Sequence, residues 1–165
     1  MGVDPALAAT GWVLLEERIV RDAGVIVTSP RMDEPQRLLS IQQAFRRVLH
    51  ETAPKVVAIE GPFRGKNART FRMLSEARGV ILAACADAGI PVCTYAPAQI
   101  KKAVAGNAKA SKPQVQAAIR ALVEQGALGF PEELMCQLRH PQQDDLFDAL
   151  AAALTHLRSI ATVSV

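Results

Sequence analysis

A short apolar run between two prolines places the strongest limit on how this chain can fold. Residues 54–62 read PKVVAIEGP, and the four residues before Glu60 are all apolar. A strand without polar alternation is buried on both faces, which is typical of a parallel sheet covered by helices on both sides. The run ends on an acid, and open α/β sheets bind their ligands at the carboxyl ends of strands. The sequence therefore predicts an α/β fold with Glu60 at the ligand-binding edge of its sheet.

The rest of the pattern agrees with a single domain over residues 1–165. The chain has 165 residues, 50% of them hydrophobic, which is enough for one sizeable core. Strands are predicted up to Asp4 and over 11–17, 19–28, 55–60 and 90–95. Helices are predicted over 36–51, 67–88, 97–105, 112–125 and 145–159, and 126–143 is the loosest region.

Cysteine usage and hydropathy indicate a cytoplasmic protein. Cys85, Cys93 and Cys136 are widely spaced and lack the paired spacing of a zinc site. No apolar run reaches the ~18 residues of a membrane span, and no signal-peptide pattern opens the chain. We therefore expect reduced thiols in the cytoplasm.

Basic residues are concentrated in two segments, although the net charge is only +3. This balance is a weak indication of an anionic partner. The alternative is that these side chains only solvate helix faces. The first segment holds Arg64, Lys66, Arg69, Arg72 and Arg78, and the second holds Lys101, Lys102, Lys109 and Lys112.

Acids at separate points of the chain suggest a metal site. Asp4 also follows a short apolar run, and Asp145 and Asp148 lie about 60° apart around the predicted last helix. Each acid has a structural alternative as a turn residue, a strand end or a helix N-cap. Carboxylates that converge in a low-dielectric site repel one another. A divalent cation with hard oxygen ligands, Mg²⁺ or Mn²⁺, relieves that repulsion.

Four segments, in order from the first residues to about His156, resemble RuvC, the family of bacterial Holliday junction resolvases. Their order is more specific than any one of them alone, since a single "DP" or "DALA" would mean nothing. The segments are GVDPALAATGW, VVAIEGPFRGKNARTFRMLSEARGVILAA, VCTYAPAQIKKAVAGNAKASKPQVQAAI and DDLFDALAAALTH.

The resemblance implies a ribonuclease-H-like fold, with a mixed five-stranded sheet flanked by helices on both sides. It also implies a homodimer that binds a four-way DNA junction and nicks two strands symmetrically, in recombination and repair. The partners that it implies are the RuvA and RuvB branch-migration proteins. The products would be ligatable 5′-phosphate and 3′-hydroxyl ends.

By position, the resemblance assigns roles to individual residues. The catalytic acids, which would hold two Mg²⁺ or Mn²⁺ ions per site, are Asp4, Glu60, Asp145 and Asp148. Lys112 would offset charge on the phosphate, and Phe63 would contact the junction near its crossover, unless its ring only anchors the loop. The full set of expected DNA-binding residues is Phe63, Arg64, Lys66, Asn67, Lys101, Lys102 and Lys109.

The chain departs from the family pattern at three places. Ala6 stands where the family usually has glycine, and the bulky Leu146 and Phe147 stand where it usually has small residues. Residues 126–143 exceed the usual length. None of these changes removes one of the four acids.

Two other functions remain open from the sequence. One is another ribonuclease-H-like enzyme, such as a YqgF-type RNA nuclease, which Lys101, Lys112 and the Phe63 loop disfavour. The other is a junction-binding protein without catalysis, which the complete set of four acids disfavours.

Overall fold

A computed structural model describes residues 1–61, 67–135 and 143–163. The strands are Gly2–Asp4 (β1), Ala9–Glu16 (β2), Ile19–Val27 (β3), Val57–Glu60 (β4) and Val92–Tyr95 (β5). The helices are Glu34–Thr52 (α1), Ala68–Asp87 (α2), Pro97–Ala105 (α3), Lys112–Glu124 (α4), Glu132–Met135 (α5) and Gln143–Val163 (α6). Within these ranges, no helix combines the length and the apolar character needed to cross a membrane.

The five strands form one mixed sheet in the order β3-β2-β1-β4-β5. β1 pairs with β4, and β4 with β5, in parallel. The pairs β1–β2 and β2–β3 are antiparallel. Because β1 and β4 are parallel neighbours, their carboxyl ends, Asp4 and Glu60, lie at the same edge of the sheet. The predicted mixed five-stranded architecture is confirmed.

Side-chain alternation in the central strands divides the interior into two cores. Val3, Val57 and Ile59 pack in the core formed with α1 and α2. Ala58 belongs to the other core, which contains residues of α3, α4 and α6. Successive residues of a strand face opposite sides of the sheet. Asp4 and Glu60 therefore belong to the side that α6 covers.

The main departures from the predicted elements lie at boundaries and in the loosest region. α1 begins at Glu34 because Asp33 is its N-cap and accepts a 2.9 Å hydrogen bond from the Gln36 backbone N–H. The short helix α5 lies inside 126–143, where the sequence predicted no element. One helical turn carries too little periodicity to be recognised from a pattern.

Two glycines let α6 approach the sheet closely. A Cβ atom at Gly2 would collide with the Ala149 carbonyl oxygen, and one at Gly11 would collide with the Asp145 carbonyl oxygen. Gly11 is also the antiparallel partner of Asp4. The missing side chain at Gly11 therefore determines how near the acidic first turns of α6 come to Asp4.

We expect Gly11→Ala to lower the free energy of unfolding by about 1–3 kcal/mol, because the added methyl group must push α6 away from β2. Urea denaturation of parent and variant measures the change. An unchanged midpoint and slope would show that the contact between Gly11 and α6 is not as close as described.

Candidate active site

Three elements bring four acids to one edge of the sheet. Asp4 ends β1, Glu60 ends β4, and Asp145 and Asp148 lie near the start of α6. The charges of Asp148, Asp145 and Glu60 all act on Asp4, which shows that the four side chains share one electrostatic environment. The structure thus brings together all four acids that the sequence singled out.

Asp4 lies at the centre of this environment. Burial is the largest cause of its raised pKa, and the neighbouring carboxylates add to it, so that the pKa rises from 3.8 to about 7. Lys112 acts in the opposite direction but does not compensate. At neutral pH the Asp4 carboxyl is therefore only partly ionised unless further positive charge enters the site.

The same causes act on two of the other acids. Burial, followed by the charge of Asp148, raises the pKa of Glu60, while Lys101 and Lys112 lower it. The pKa of Asp145 is also raised, mainly by burial. The cluster consequently lacks positive charge, even with two lysines beside it.

Lys112 is the cation in direct contact with the cluster. Its Nζ atom lies 2.8 Å from Asp148 Oδ2 and 3.4 Å from Asp144 Oδ2. Burial opposes the charged form of Lys112, but the bonds to Asp148 and Asp144 outweigh it and raise the pKa of the ammonium group. Lys112 is also the first residue of α4, where the helix dipole disfavours a positive charge.

A groove of about 710 Å³ adjoins the acids. Asp4 and Glu60 line it together with Lys101 of α3 and Arg78 of α2. Asn67, Thr70, Phe71, Leu74 and Ser75 line it as well. Those that belong to α2 are separated by three or four positions or are neighbours, so one face of the helix forms a wall of the groove. The groove joins carboxylates to basic side chains, as a site that cleaves a bound anion requires.

The expected DNA-binding residues differ in where they lie. Lys101 lines the groove, and Lys102 and Lys109 are exposed. Asn67 caps α2, since its side-chain oxygen accepts hydrogen bonds of 3.0 Å and 3.3 Å from the N–H groups of Arg69 and Thr70. Phe63, Arg64 and Lys66 lie outside the described residues, and their contacts with DNA stay predictions.

Other basic residues are distributed in a way that the sequence did not indicate. Arg78 reaches the groove and donates a 2.8 Å hydrogen bond to Thr94 Oγ1. Arg72, from the same basic segment, instead forms salt bridges of 2.7 Å with Glu34 and Glu76. Charge counting cannot separate these cases, because the difference depends on which face of α2 each residue occupies.

The bulky residues between the last two acids are accommodated in the interior. Leu146 and Phe147 are buried, at 2% and 0% exposure, and belong to the core on the α6 side of the sheet. The Arg120 guanidinium lies 4.6 Å from the centre of the Phe147 ring. This departure from the family pattern therefore strengthens the packing of α6 and leaves the acids in place.

A tyrosine and the cysteines of the described residues have structural places away from the acids. The Tyr95 hydroxyl lies 2.7 Å from His156 Nδ1 and 2.9 Å from Ser159 Oγ, which ties β5 to α6. Cys85 and Cys93 are free thiols. Cys136 lies outside the described residues.

The acidic residues fit hard divalent cations in their chemistry. Carboxylate oxygens are the ligands that Mg²⁺ and Mn²⁺ prefer. Burial, and then the neighbouring carboxylates, raise the pKa of Asp4, and a bound cation would oppose both effects. In the part of the chain that the structure describes, no three acidic, histidine or cysteine side chains are arranged to hold an ion as they stand. The Lys112 ammonium group lies against Oδ2 of Asp148, so an ion bound at that oxygen would compete with Lys112.

An acidic cluster at the carboxyl edge of a mixed five-stranded sheet, with helices on both faces, defines a nuclease of the ribonuclease-H-like class. A family model described as crossover junction endodeoxyribonuclease RuvC matches residues 1–156, and the chain belongs to this family.

Individual relatives agree with this membership. The chain is 39% identical over 163 residues to crossover junction endodeoxyribonuclease RuvC of Syntrophomonas wolfei, covering 96% of this chain and 88% of that protein. It is 37% identical over 161 residues to the protein of the same name from Roseiflexus sp., covering 94% and 88%. The solved structure of T. thermophilus RuvC in complex with Holliday junction substrate matches with a TM-score of 0.75 and 32% identity, over 94% of this chain and 90% of that one.

The pKa of Asp4 predicts how stability depends on pH in the metal-free protein. Folded Asp4 keeps its proton up to a pKa of about 7, whereas the unfolded chain releases it near 3.8. Between these two values the folded protein holds a proton that the unfolded chain has released. The free energy of unfolding therefore falls as the pH rises from 3.8 to about 7. Asp4→Asn removes this titration, so the variant should gain stability relative to the parent across the same window.

Urea denaturation in EDTA at about pH 5 and about pH 8 tests this expectation, because the two conditions lie toward opposite ends of the titration. The gain of the variant over the parent should be larger at the higher pH. An equal gain at both pH values would contradict the shifted pKa of Asp4.

Proposed function

We propose that this protein resolves four-way DNA junctions by nicking two strands symmetrically with divalent metal, as a cytoplasmic enzyme of homologous recombination and repair. The observation that carries the proposal is the convergence of three acids on Asp4, beside a groove that also contains Lys101. Family membership supports the choice of a DNA junction as substrate. The RuvA and RuvB proteins are the proposed partners in branch migration.

The acids Asp4, Glu60, Asp145 and Asp148 would hold two Mg²⁺ or Mn²⁺ ions. When bound, such ions activate water and stabilise the charge that develops on the phosphate. Asp4 must lose its proton to act as a ligand, and the positive charge of the bound ions would favour that loss. Lys112 supplies a further positive charge close to Asp148, where it would stabilise the phosphate as the bond breaks.

The groove would hold the strand that is cut. Lys101 and Arg78 line it and can contact phosphate oxygens, and the exposed Lys102 and Lys109 extend the positive surface near α3. Phosphate contacts release counterions, so junction affinity should fall steeply with salt. Cleavage would leave 5′-phosphate and 3′-hydroxyl ends that a ligase can seal.

A homodimer is the proposed state, because two symmetric nicks require two active sites related by a two-fold axis. An apolar groove between α1 and α2, lined by Leu38, Leu39, Val80 and Ala83 among others, is the proposed contact surface. Leu39 is 51% exposed there. The groove between α1 and α2 lies on the face of the sheet opposite α6. A dimer formed through it would leave the acid cluster of each protomer accessible.

Replacing acids by their amides tests the catalytic assignment. Asp4→Asn, Asp145→Asn and Asp148→Asn should each still bind a synthetic four-way junction, because phosphate repulsion falls. Each should lose cleavage by at least ~100-fold, since a ligand of the ions that would stabilise the transition state is removed. Labelled junctions with Mg²⁺, and then Mn²⁺, measure paired nicking beside linear duplex and single-stranded RNA.

Asp87→Asn is the matched control, because Asp87 forms an exposed ion pair with Arg46 at the far end of α2. It should cut like the parent. Preferential RNA cleavage by the parent would instead support a YqgF-type nuclease. Tight junction binding without any cutting, in parent and variants alike, would support a non-catalytic binding protein.

Leu39→Glu should convert the dimer into a monomer, because it places a charge in the apolar groove between α1 and α2. Light scattering at micromolar concentration measures the mass. Val27→Glu is the matched control, since Val27 is 57% exposed on β3 and lies outside the groove. A dimer that persists in Leu39→Glu, or dissociates equally in both variants, would contradict this interface.

A further inference from the structure

Lys112 contacts two acids, only one of which belongs to the four proposed metal ligands. Its Nζ atom is 2.8 Å from Oδ2 of Asp148, a proposed ligand, and 3.4 Å from Oδ2 of Asp144, which is not one. The second contact joins the first residue of α4 to the beginning of α6. Asp144 is thus an acid beside the site that the proposed chemistry leaves without a role.

Asp144 is held in place by a residue of α4. Its Oδ1 atom accepts a 2.8 Å hydrogen bond from Gln116 Nε2, while its Oδ2 atom faces Lys112. Lys112 and Gln116 are four residues apart on α4, so their side chains lie on the same face of the helix. Both oxygens of Asp144 are therefore directed to one face of α4, and the Asp144 carboxylate is oriented before any cation enters the site.

Lys112 needs such a partner for two physical reasons. The positive end of the α4 dipole disfavours its ammonium group at the first helical position. In addition, a cation bound by Asp148 would compete with Lys112 for the same carboxylate, because the 2.8 Å contact occupies Oδ2. Without Asp144, displacement from Asp148 would leave Lys112 with no acid that the structure places in contact with it.

We propose that Asp144, oriented by Gln116, is a positioning residue that keeps the Lys112 ammonium group beside the active site when Asp148 binds a divalent cation. In the metal-free protein Lys112 is shared between the two acids. In the metal-bound protein it pairs with Asp144 alone and remains available to the phosphate. This inference rests on the proposed function, because it requires Asp148 to be a metal ligand.

The test is the affinity of the DNA-free protein for Mn²⁺, measured by isothermal titration calorimetry. Asp144→Asn should weaken binding by about two- to five-fold, the range expected when a partly exposed ion pair is lost. In a Lys112→Met background the same substitution should change the affinity by less than about 1.5-fold, because no ammonium group needs a second partner. Gln116→Leu, which changes no charge, should weaken binding in the same direction as Asp144→Asn.

Control variants separate this effect from a general loss of negative charge. Glu124→Gln removes one exposed acid at the other end of α4 and should leave Mn²⁺ affinity unchanged. The inference would be overturned if Asp144→Asn weakened Mn²⁺ binding equally in the parent and in the Lys112→Met background. It would also be overturned if Asp144→Asn weakened Mn²⁺ binding in neither.

Asp148→Asn distinguishes failure of this inference from failure of the proposed function. The variant should lose most Mn²⁺ affinity. Unchanged affinity would overturn the proposed metal site and the inference with it. Suppose instead that Asp148→Asn loses Mn²⁺ affinity, but Asp144→Asn has equal effects in the parent and in the Lys112→Met background. That result would overturn the role of Asp144 and leave the proposed metal site standing.

Discussion

The burial of Asp4 beside three partly buried carboxylates is the constraint on which the rest of the structure depends. Folding removes Asp4 from water and brings three further acids near it, which raises its pKa to about 7. Such an arrangement reduces the stability of the metal-free protein at neutral pH, because the charged form is disfavoured. Proteins retain costs of this kind mainly at functional sites, where a ligand relieves them. Here a divalent cation is the proposed ligand, and Lys112 opposes part of the cost without it.

The fold meets this constraint with rigid elements. β1 and β4 are neighbouring parallel strands, so their terminal acids are fixed by backbone hydrogen bonds and not by loops. α6 lies against β1 and β2 so closely that no side chain fits at Gly2 or Gly11. The apolar length of α6 is buried in the core, which holds its first turns at the sheet edge. Sites built on strands and helices in this way keep their side chains in precise positions.

Much of the fold and the acidic site could be predicted from the sequence, because local patterns encode them. A wholly apolar run ending on Glu60 indicated a buried strand, and that strand is β4, which lies inside the sheet between β1 and β5. The contacts of Asp144 could not be predicted in the same way. Asp144 and Asp145 are adjacent acids of one type, and only the packing of α4 against α6 shows that Asp144 contacts Gln116 and Lys112. The Gly11 contact was equally inaccessible, since it depends on how closely a helix distant in sequence approaches the strand.

The central claim is that acids from β1, β4 and α6 form one cation-binding site. Anomalous diffraction from crystals soaked in Mn²⁺ tests it most directly. We predict that the strongest anomalous peaks lie within about 2.6 Å of carboxylate oxygens of Asp4, Glu60 and at least one of Asp145 and Asp148. Strongest peaks elsewhere on the protein, or at the α6 acids without Asp4, would contradict the account.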